Sequence, residues 1–421
     1  RHFSFDCRLR AVPFCGRLGH RFMAPTLTFG TLRFIVGSLA VFAQIYLFVR
    51  IRHAIRSSDR SERFKSLAVF FSGAAIGLLF SMNVLILLKP IPWVDPPAAT
   101  QALLFYLPAV WGIGSILSAL LLVCAKAAGS LVRAIIGRWC DPALRAEGPP
   151  ANPGRRRFLQ AGAGALAAAP LVLSGYGAAW GGRSHEVRAL TLPFGVPLRV
   201  VQLTDHHAGL YMTRDDLRRY ADAAIALEPD LFVLTGDYVS NSIAFLPGCL
   251  EEMARVNARY GTFATLGNHE HWVGSLGRLK ALFRQHGVPL LYNAHRVIRT
   301  EKGPFAVAGI DDMRFGNHDL DAALRGLNPA IPTILLSHRP EIFPEAAGQG
   351  VALTLSGHSH GGQIKLILPG GDVSLAHLRT PYPEGLYRID DSHLYVSRGI
   401  GTTFTPVRLN ARPEVTVINL T

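Results

Sequence analysis

The chain has 421 residues, 49% of them apolar and only 17% charged, against about 25% charged in an average soluble protein. A mean hydropathy of +0.24 excludes both a disordered chain and a single ordinary soluble domain. The net charge of +14 would suit a nucleic-acid binder, but it is confined to one half. Residues 1–195 hold 22 Lys and Arg against 7 Asp and Glu, and residues 196–421 hold 21 against 22. A membrane protein carries such an excess in its loops. A nucleic-acid footprint would instead be a basic patch on the folded half, so no nucleic-acid partner is expected.

In chain order, residues 1–29 form an N-terminal segment, and 30–179 a transmembrane region of three to four helices. Apolar stretches run over Phe34–Val49, Leu67–Leu88 and Ala102–Cys124, with a weaker, Gly- and Ala-rich fourth over Phe158–Ala179. A bilayer core of about 30 Å needs around 20 such residues. The segment Arg50–Ser66 carries six Lys and Arg, Lys89–Gln101 one, and Ala125–Arg157 seven. The positive-inside rule then puts the first and third loops in the cytoplasm, and everything after about residue 180 outside it. Arg155-Arg156-Arg157-Phe158-Leu159 reads either as an internal twin-arginine export signal or as a basic flank at the inner leaflet. Both give the same topology: a multi-pass protein of the cell (inner) membrane with an extracytoplasmic second half. Five arginines in residues 1–22 conflict with an external N-terminus, and a start at Met23 removes the conflict. Residues 1–22 are therefore expected to lie outside the mature protein.

Residues 180–196 read as a linker and 197–421 as a second domain. Its only cysteine is Cys249, which excludes a disulfide framework or a Cys-rich zinc site there. Twelve of the 16 histidines fall in it. Short β-branched runs end abruptly in polar residues. Leu198–Leu203 leads to Asp205-His206-His207, Leu231–Leu234 to Gly236-Asp237, and Thr262–Leu266 to Gly267-Asn268-His269. Thr333–Leu336 then leads to His338, and Val351–Leu355 to Gly357-His358-Ser359-His360. Helical patterns over Arg214–Ala226 and Pro247–Arg259 alternate with the early strands. Strand–helix alternation predicts an α/β sheet, whose ligands bind beyond the carboxyl ends of the strands. Five strand ends presenting Asp, Asn and His supply oxygen and nitrogen ligands for two divalent metals.

Asp-x-His, Gly-Asp, Gly-Asn-His, a strand-ending His and Gly-His-x-His, in that order, resemble the calcineurin-like metallophosphoesterases over about residues 198–421. The Gly357–Gln363 run and Ser397-Arg398-Gly399-Ile400-Gly401-Thr402 are similar to the membrane-anchored bacterial branch and to animal transmembrane proteins with such a domain. The resemblance implies a four-layer α/β sandwich, two mixed β-sheets flanked by helices, behind the transmembrane bundle. It implies Asp205, His207 and His360 around one metal, Asn268, His338 and His358 around the other, and Asp237 bridging both. Mn, Fe or Zn would suit this set. Hydroxide shared by the metals would attack phosphorus, with His269 helping the leaving oxygen as general acid or hydrogen-bond donor. His206, beside His207, is expected to face away as a packing or supporting residue. The protein-phosphatase continuation Gly-Asp-x-Val-Asp-Arg-Gly is missing; here Gly236-Asp237 runs into Tyr238-Val239-Ser240-Asn241. That removes the Asp which would support His269 and the phosphate-gripping Arg, and it argues against a protein phosphatase. The expected activity is hydrolysis of a phosphodiester or pyrophosphate of a lipid-linked or surface substrate. A non-catalytic metal-binding sensor, or an interaction protein that kept the fold, is the alternative.

Overall fold

The computed structural model describes residues 29–88, 98–139, 153–182 and 184–421. The expectation for residues 1–22 falls outside the described residues, as do 89–97 and 140–152 of the two later loops. The chain divides into a helical unit and a unit built mainly from Ala179–Thr421.

The helical unit contains α1 (Phe29–Arg56), α2 (Glu62–Leu88), α3 (Leu107–Trp139) and α4 (Pro153–Tyr176). Four runs, Ile35–Arg56, Glu62–Leu85, Ala99–Ile135 and Ala161–Gly181, are helical, long and apolar enough to cross a membrane. Phe42, Phe70, Leu120 and Val172 are each more than half exposed, whereas Ser115, Ser118 and Ser174 are buried. That is the reverse of a water-soluble bundle, and it suits helices whose outer surface meets lipid. Ser118 Oγ donates to the Ala167 carbonyl at 2.7 Å, joining α3 to α4.

In the second unit, β2 (Leu198–Leu203), β3 (Leu231–Thr235) and β4 (Thr262–Thr265) run parallel in a five-stranded sheet. Its other two strands are β1 (Glu186–Leu192) at the edge and β13 (Glu414–Leu420) between β1 and β2. The segment 180–196 is thus more than a linker. Its β1 pairs in parallel with β13, and its mostly exposed pattern is that of a strand with one neighbour. The second sheet has six strands in the order β11-β12-β8-β7-β6-β5. Within it β6 (Gly303–Gly309), β7 (Thr333–Leu336), β8 (Leu353–Ser356) and β12 (Ser392–Val396) are parallel. The edge strands β5 (Ala294–Thr300) and β11 (Gly385–Ile389) are antiparallel. A small hairpin, β9 (Leu366–Leu368) with β10 (Gly371–Val373), stands apart from both sheets.

The sheets pack face to face through Val200, Leu231 and Val233 on one side and Val307, Ile334 and Leu355 on the other, all buried. Helices cover the outer faces. On the first sheet these are α5 (Arg214–Ile225), α6 (Leu246–Met253) and, beyond the short α7 (Asn268–Val273), α8 (Leu276–Gln285). On the second they are α9 (Leu320–Leu324) and α10 (Phe343–Gly348). This is the four-layer sandwich with two mixed sheets. Thr213 and Asp216 form a capping box at the start of α5, and Leu217, Tyr220, Ala221 and Ala224 bury one face. The helix expected over Pro247–Arg259 is shorter, ending at Met253 before the loop that enters β4.

Glu252 at the end of α6 has a buried carboxylate reached by three arginines. Arg214 Nε is 2.8 Å away, Arg218 Nη2 3.2 Å and Arg255 Nη1 3.0 Å. Burial would raise its pKa, but these charge-assisted hydrogen bonds hold it at about 2. Its stabilising contribution is therefore complete above the ordinary 4.5 and is lost as pH falls towards 2. Glu252→Gln should destabilise the protein by about 1–3 kcal/mol at pH 7. In thermal unfolding the gap from the parent should close between pH 4.5 and 2.

Candidate metal centre

All five predicted strand ends, from β2, β3, β4, β7 and β8, open on one rim. Five residues there have left-handed backbones: Asp205 (φ 54°), His207 (48°), Asp237 (53°), His358 (71°) and His360 (52°). Non-glycine residues in that region are uncommon, and each costs on the order of 1 kcal/mol, so their concentration marks a functional site. The sharp reversals turn consecutive side chains to different sides just past the strands. His206 does face away from His207, but for this reason and not through strand alternation, because residues 204–207 lie beyond β2. Its ring is fully buried and stacks on Tyr238 at 5.1 Å, and burial lowers its pKa to about 3.

Three groups of donor atoms converge, each within 4.8 Å: Asp205, His207 and His360; Asp237, His338 and His358; and His207, Asp237 and His269. In the first, His207 Nε2 and His360 Nε2 are 3.0 Å apart, and His360 Nε2 is 3.3 Å from Asp205 Oδ1. In the second, His338 Nε2 is 3.1 Å from Asp237 Oδ2 and 3.2 Å from His358 Nδ1. Asp237 reaches both sides, since its Oδ2 is also 3.7 Å from His207 Nε2 and 3.8 Å from His269 Nε2. Asn268 sits at the rim near His358; Arg339 Nη2 donates to its Oδ1 at 3.1 Å, and Arg339 Nη1 lies 2.7 Å from His358 Nε2.

The donor set fits cations. Two imidazole nitrogens 3.0 Å apart beside a carboxylate share one proton at most, and a lone pair is left aimed between them. Burial holds His207, His358 and His360 well below the usual histidine range, so they are neutral, the state in which imidazole can bind a metal. Burial raises Asp205 to about 6. It would raise Asp237 too, but His338 and His269 outweigh it and hold Asp237 well below the usual carboxylate range. Burial likewise acts to lower His338, yet Asp237 and Asp205 raise it to about 10. The imidazolium thus supplies positive charge to these carboxylates, a role a divalent cation would take over.

His269 on α7 is 5% exposed. Its Nδ1 lies 2.6 Å from the Ser240 carbonyl, so Nδ1 carries the proton and Nε2 faces the rim. A backbone carbonyl therefore supports His269 where the protein phosphatases use a second Asp. Trp272 packs on the ring at 4.3 Å. His271 pairs with Asp311 at 2.7 Å and is raised by that hydrogen bond. His295 Nδ1 bonds to the Ala323 carbonyl on α9, and His377 bonds locally to Ser374.

Four further residues hold the loops that carry these donor atoms without announcing it in the sequence. The buried Glu270 carboxylate accepts the amides of Asp237 at 3.0 Å, Tyr238 at 2.8 Å and Gly267 at 2.9 Å, tying the loops after β3 and β4 together. The fully buried Arg408 donates to the carbonyls of Arg398 at 2.9 Å and Ala411 at 2.9 Å, and its Nη2 lies 3.1 Å from His360 Nδ1. Thr403 Oγ1 touches both His207 and His360. Arg339, held by Asp312 at 2.8 Å, brings a guanidinium to the rim. The Ser397–Thr402 run also acquires a role. A Cβ on Gly399 would lie 2.6 Å from Asp205 Cβ, so glycine lets this loop press against the Asp205 turn.

Fold and rim together define a metal-dependent phosphoester hydrolase. Residues 198–362 match the model of the calcineurin-like phosphoesterases. The chain is 32% identical over 278 residues to the uncharacterized metallophosphoesterase YkuE of Bacillus subtilis, covering 63% of this chain and 97% of that one. It is 28% identical over 275 residues to the phosphodiesterase YaeI of Escherichia coli, covering 63% and 98%. It is 33% identical over 236 residues to the Danio rerio transmembrane protein with metallophosphoesterase domain. In that case it spans only 53% of either chain. The chain belongs to the calcineurin-like metallophosphoesterase family.

Glu270→Ala would orphan three buried amides, each costing about 1–3 kcal/mol. It should lower the unfolding temperature and the bound-metal stoichiometry together, with Glu270→Gln in between; metal analysis and thermal unfolding read both.

Proposed function

We propose that the protein is a membrane-bound phosphodiesterase or pyrophosphatase with a dinuclear centre, acting outside the cytoplasm on a lipid-linked or surface phosphoester. The observation that carries this reading is Asp237, whose carboxylate belongs to two donor groups at once. Asp205, His207 and His360 would hold one divalent metal, Asn268, His338 and His358 the second, and Asp237 both. When bound, the metals supply Lewis-acid stabilisation of the phosphoryl oxygens and an activated water.

The protein's own groups do the rest. His269 carries its Nδ1 proton on the Ser240 carbonyl and burial lowers its pKa, so the resting ring is neutral with a lone pair on Nε2. A second proton taken up at Nε2 would be the one given to the departing oxygen or shared with it in a hydrogen bond. Arg339 has two guanidinium nitrogens at the rim, on Asn268 and His358. Asp312 fixes its Nε, so those nitrogens can turn to non-bridging phosphate oxygens. This would replace the arginine lost with the protein-phosphatase motif. The diester preference is supported by the relative named a phosphodiesterase, and the lipid-linked substrate by the four candidate membrane spans in the same chain.

Asp237→Asn should abolish hydrolysis of a bis-aryl phosphodiester in the presence of manganese and reduce bound metal, because an amide offers two cations only a dipole. His269→Ala should keep its metal and lose roughly 10²–10⁴-fold in kcat, less for substrates with very good leaving groups. Arg339→Ala should keep its metal and raise KM. A full complement of metal in Asp237→Asn, or loss of metal in His269→Ala, would overturn the assignments, the latter making His269 a ligand. Purified protein that binds metal but hydrolyses no mono-, di- or pyrophosphoester would favour the sensor reading.

The orientation rests on six, one and seven Lys and Arg in successive loops. An alkaline phosphatase reporter fused after Thr421 should be active, and one inserted within Arg50–Ser66 silent. The opposite pattern would put the domain in the cytoplasm.

A further inference from the structure

Just beyond His360 the backbone stays left-handed for four residues, with φ of 52° at His360, 58° at Gly361, 79° at Gly362 and 55° at Gln363. This turn swings the chain out of the rim and into the β9–β10 hairpin. The base of the hairpin is fastened. Lys365 is buried against Glu384 at 2.6 Å and Asp372 at 3.5 Å, and Asn410 Nδ2 donates to the Lys365 carbonyl at 3.0 Å. Beyond this base the composition inverts. Leu366 is 62% exposed, Ile367 67%, Leu368 50%, Leu375 73% and Leu378 80%. Consecutive residues of a strand point to opposite faces, so the finger presents apolar side chains on both. An isolated two-stranded hairpin has little stability of its own in water, and a contiguous exposed apolar patch marks a contact surface.

We propose that this finger, Leu366–Leu378, inserts into the outer layer of a lipid bilayer and seats the metal-ligand rim at the membrane surface. The proposal rests on the membrane-bound reading above. Two observations favour lipid over a protein partner. A protein surface covers one side of a hairpin, whereas acyl chains surround both. Here Leu366, Leu368 and Val373 line one face, and Ile367 stands on the other, where its cross-strand partner Asp372 turns back to Lys365 at the base. The chain also leaves its last apolar helical run at Gly181 and enters β1 at Glu186. Four residues span at most about 14 Å, which leaves no long spacer to hold the domain off a bilayer. Trp180, at the end of that run, is 66% exposed and of the type that anchors at the lipid–water interface.

The test uses the full chain reconstituted into phosphatidylcholine–phosphatidylglycerol vesicles. Dansylalanine replaces Ile367 in one preparation and Lys302, in the exposed turn between β5 and β6, in another. At 367 the emission should shift to the blue and be quenched by lipids carrying doxyl groups on their acyl chains; at 302 neither should occur. Emission at 367 like that at 302 would overturn the proposal. A blue shift without doxyl quenching would also overturn it, because a second copy would then be covering the finger. Protein released from the vesicles by alkaline carbonate would defeat the membrane-bound reading itself, whereas retained protein with a wet finger defeats only this inference. As a functional arm, the double variant Ile367→Asp, Leu375→Asp should lose at least about tenfold in rate on an acyl-chain-bearing aryl phosphodiester embedded in vesicles. It should stay within about twofold of the parent on a water-soluble bis-aryl phosphodiester, which does not need the bilayer contact. Equal rates on the embedded substrate would count against insertion.

Discussion

Asp237 has three ring nitrogens around one carboxylate oxygen, His338 at 3.1 Å, His207 at 3.7 Å and His269 at 3.8 Å. No single strand or helix can deliver all three, since they arrive from beyond the ends of β2, β4 and β7 in two different sheets. The sandwich brings those ends together, and left-handed turns at Asp205, His207 and Asp237 aim the side chains. Buried negative charge at this point is costly unless positive charge accompanies it. The raised His338 provides one such charge, and a metal pair would provide more. The strain in the turns and the charge in the pocket therefore have a common origin in the demand that one carboxylate face both donor groups.

Outside that pocket, two buried side chains of opposite sign do parallel jobs. Glu270 collects backbone amides from the Asp237 and Gly267 turns. Arg408 collects carbonyls from the 398–411 segment behind His360. An acid is suited to loops that expose N–H groups, and a guanidinium to loops that expose C=O groups. Each converts unsatisfied backbone groups, which irregular turns produce, into a reason for the turn to hold its shape.

How far this could be read from residues alone follows from the same physics. The strand ends were legible because an abrupt change from β-branched to Asp, Asn or His survives in one dimension. The two mixed sheets followed from the family resemblance. The partner of His269 was not legible, because the Ser240 carbonyl is a backbone group that any residue there would offer. Nor was β1, whose alternating edge pattern finds its partner more than 220 residues further on, in β13. Arg339 stood beside a predicted ligand, yet nothing local marks an arginine as turned inward by Asp312, 27 residues earlier in the chain. Nor does anything in the sequence mark Glu270, next to His269, as a residue that holds loops. It matters because it reaches three amides across two loops.

The position of β13 has a consequence for how the domain comes into being. The first sheet runs β1-β13-β2, so the strand made last lies between the two made first. Until residues 414–420 leave the ribosome, β1 and β2 have no common neighbour, and the loop that presses Gly399 against the Asp205 turn has nothing to anchor its far end. The apolar helices can settle one after another as they emerge, since each contacts neighbours already made. The sandwich instead waits, unpaired edges exposed, for its final strand. Any factor that shields nascent chains would meet this protein as a settled helical unit trailing an unfinished sheet.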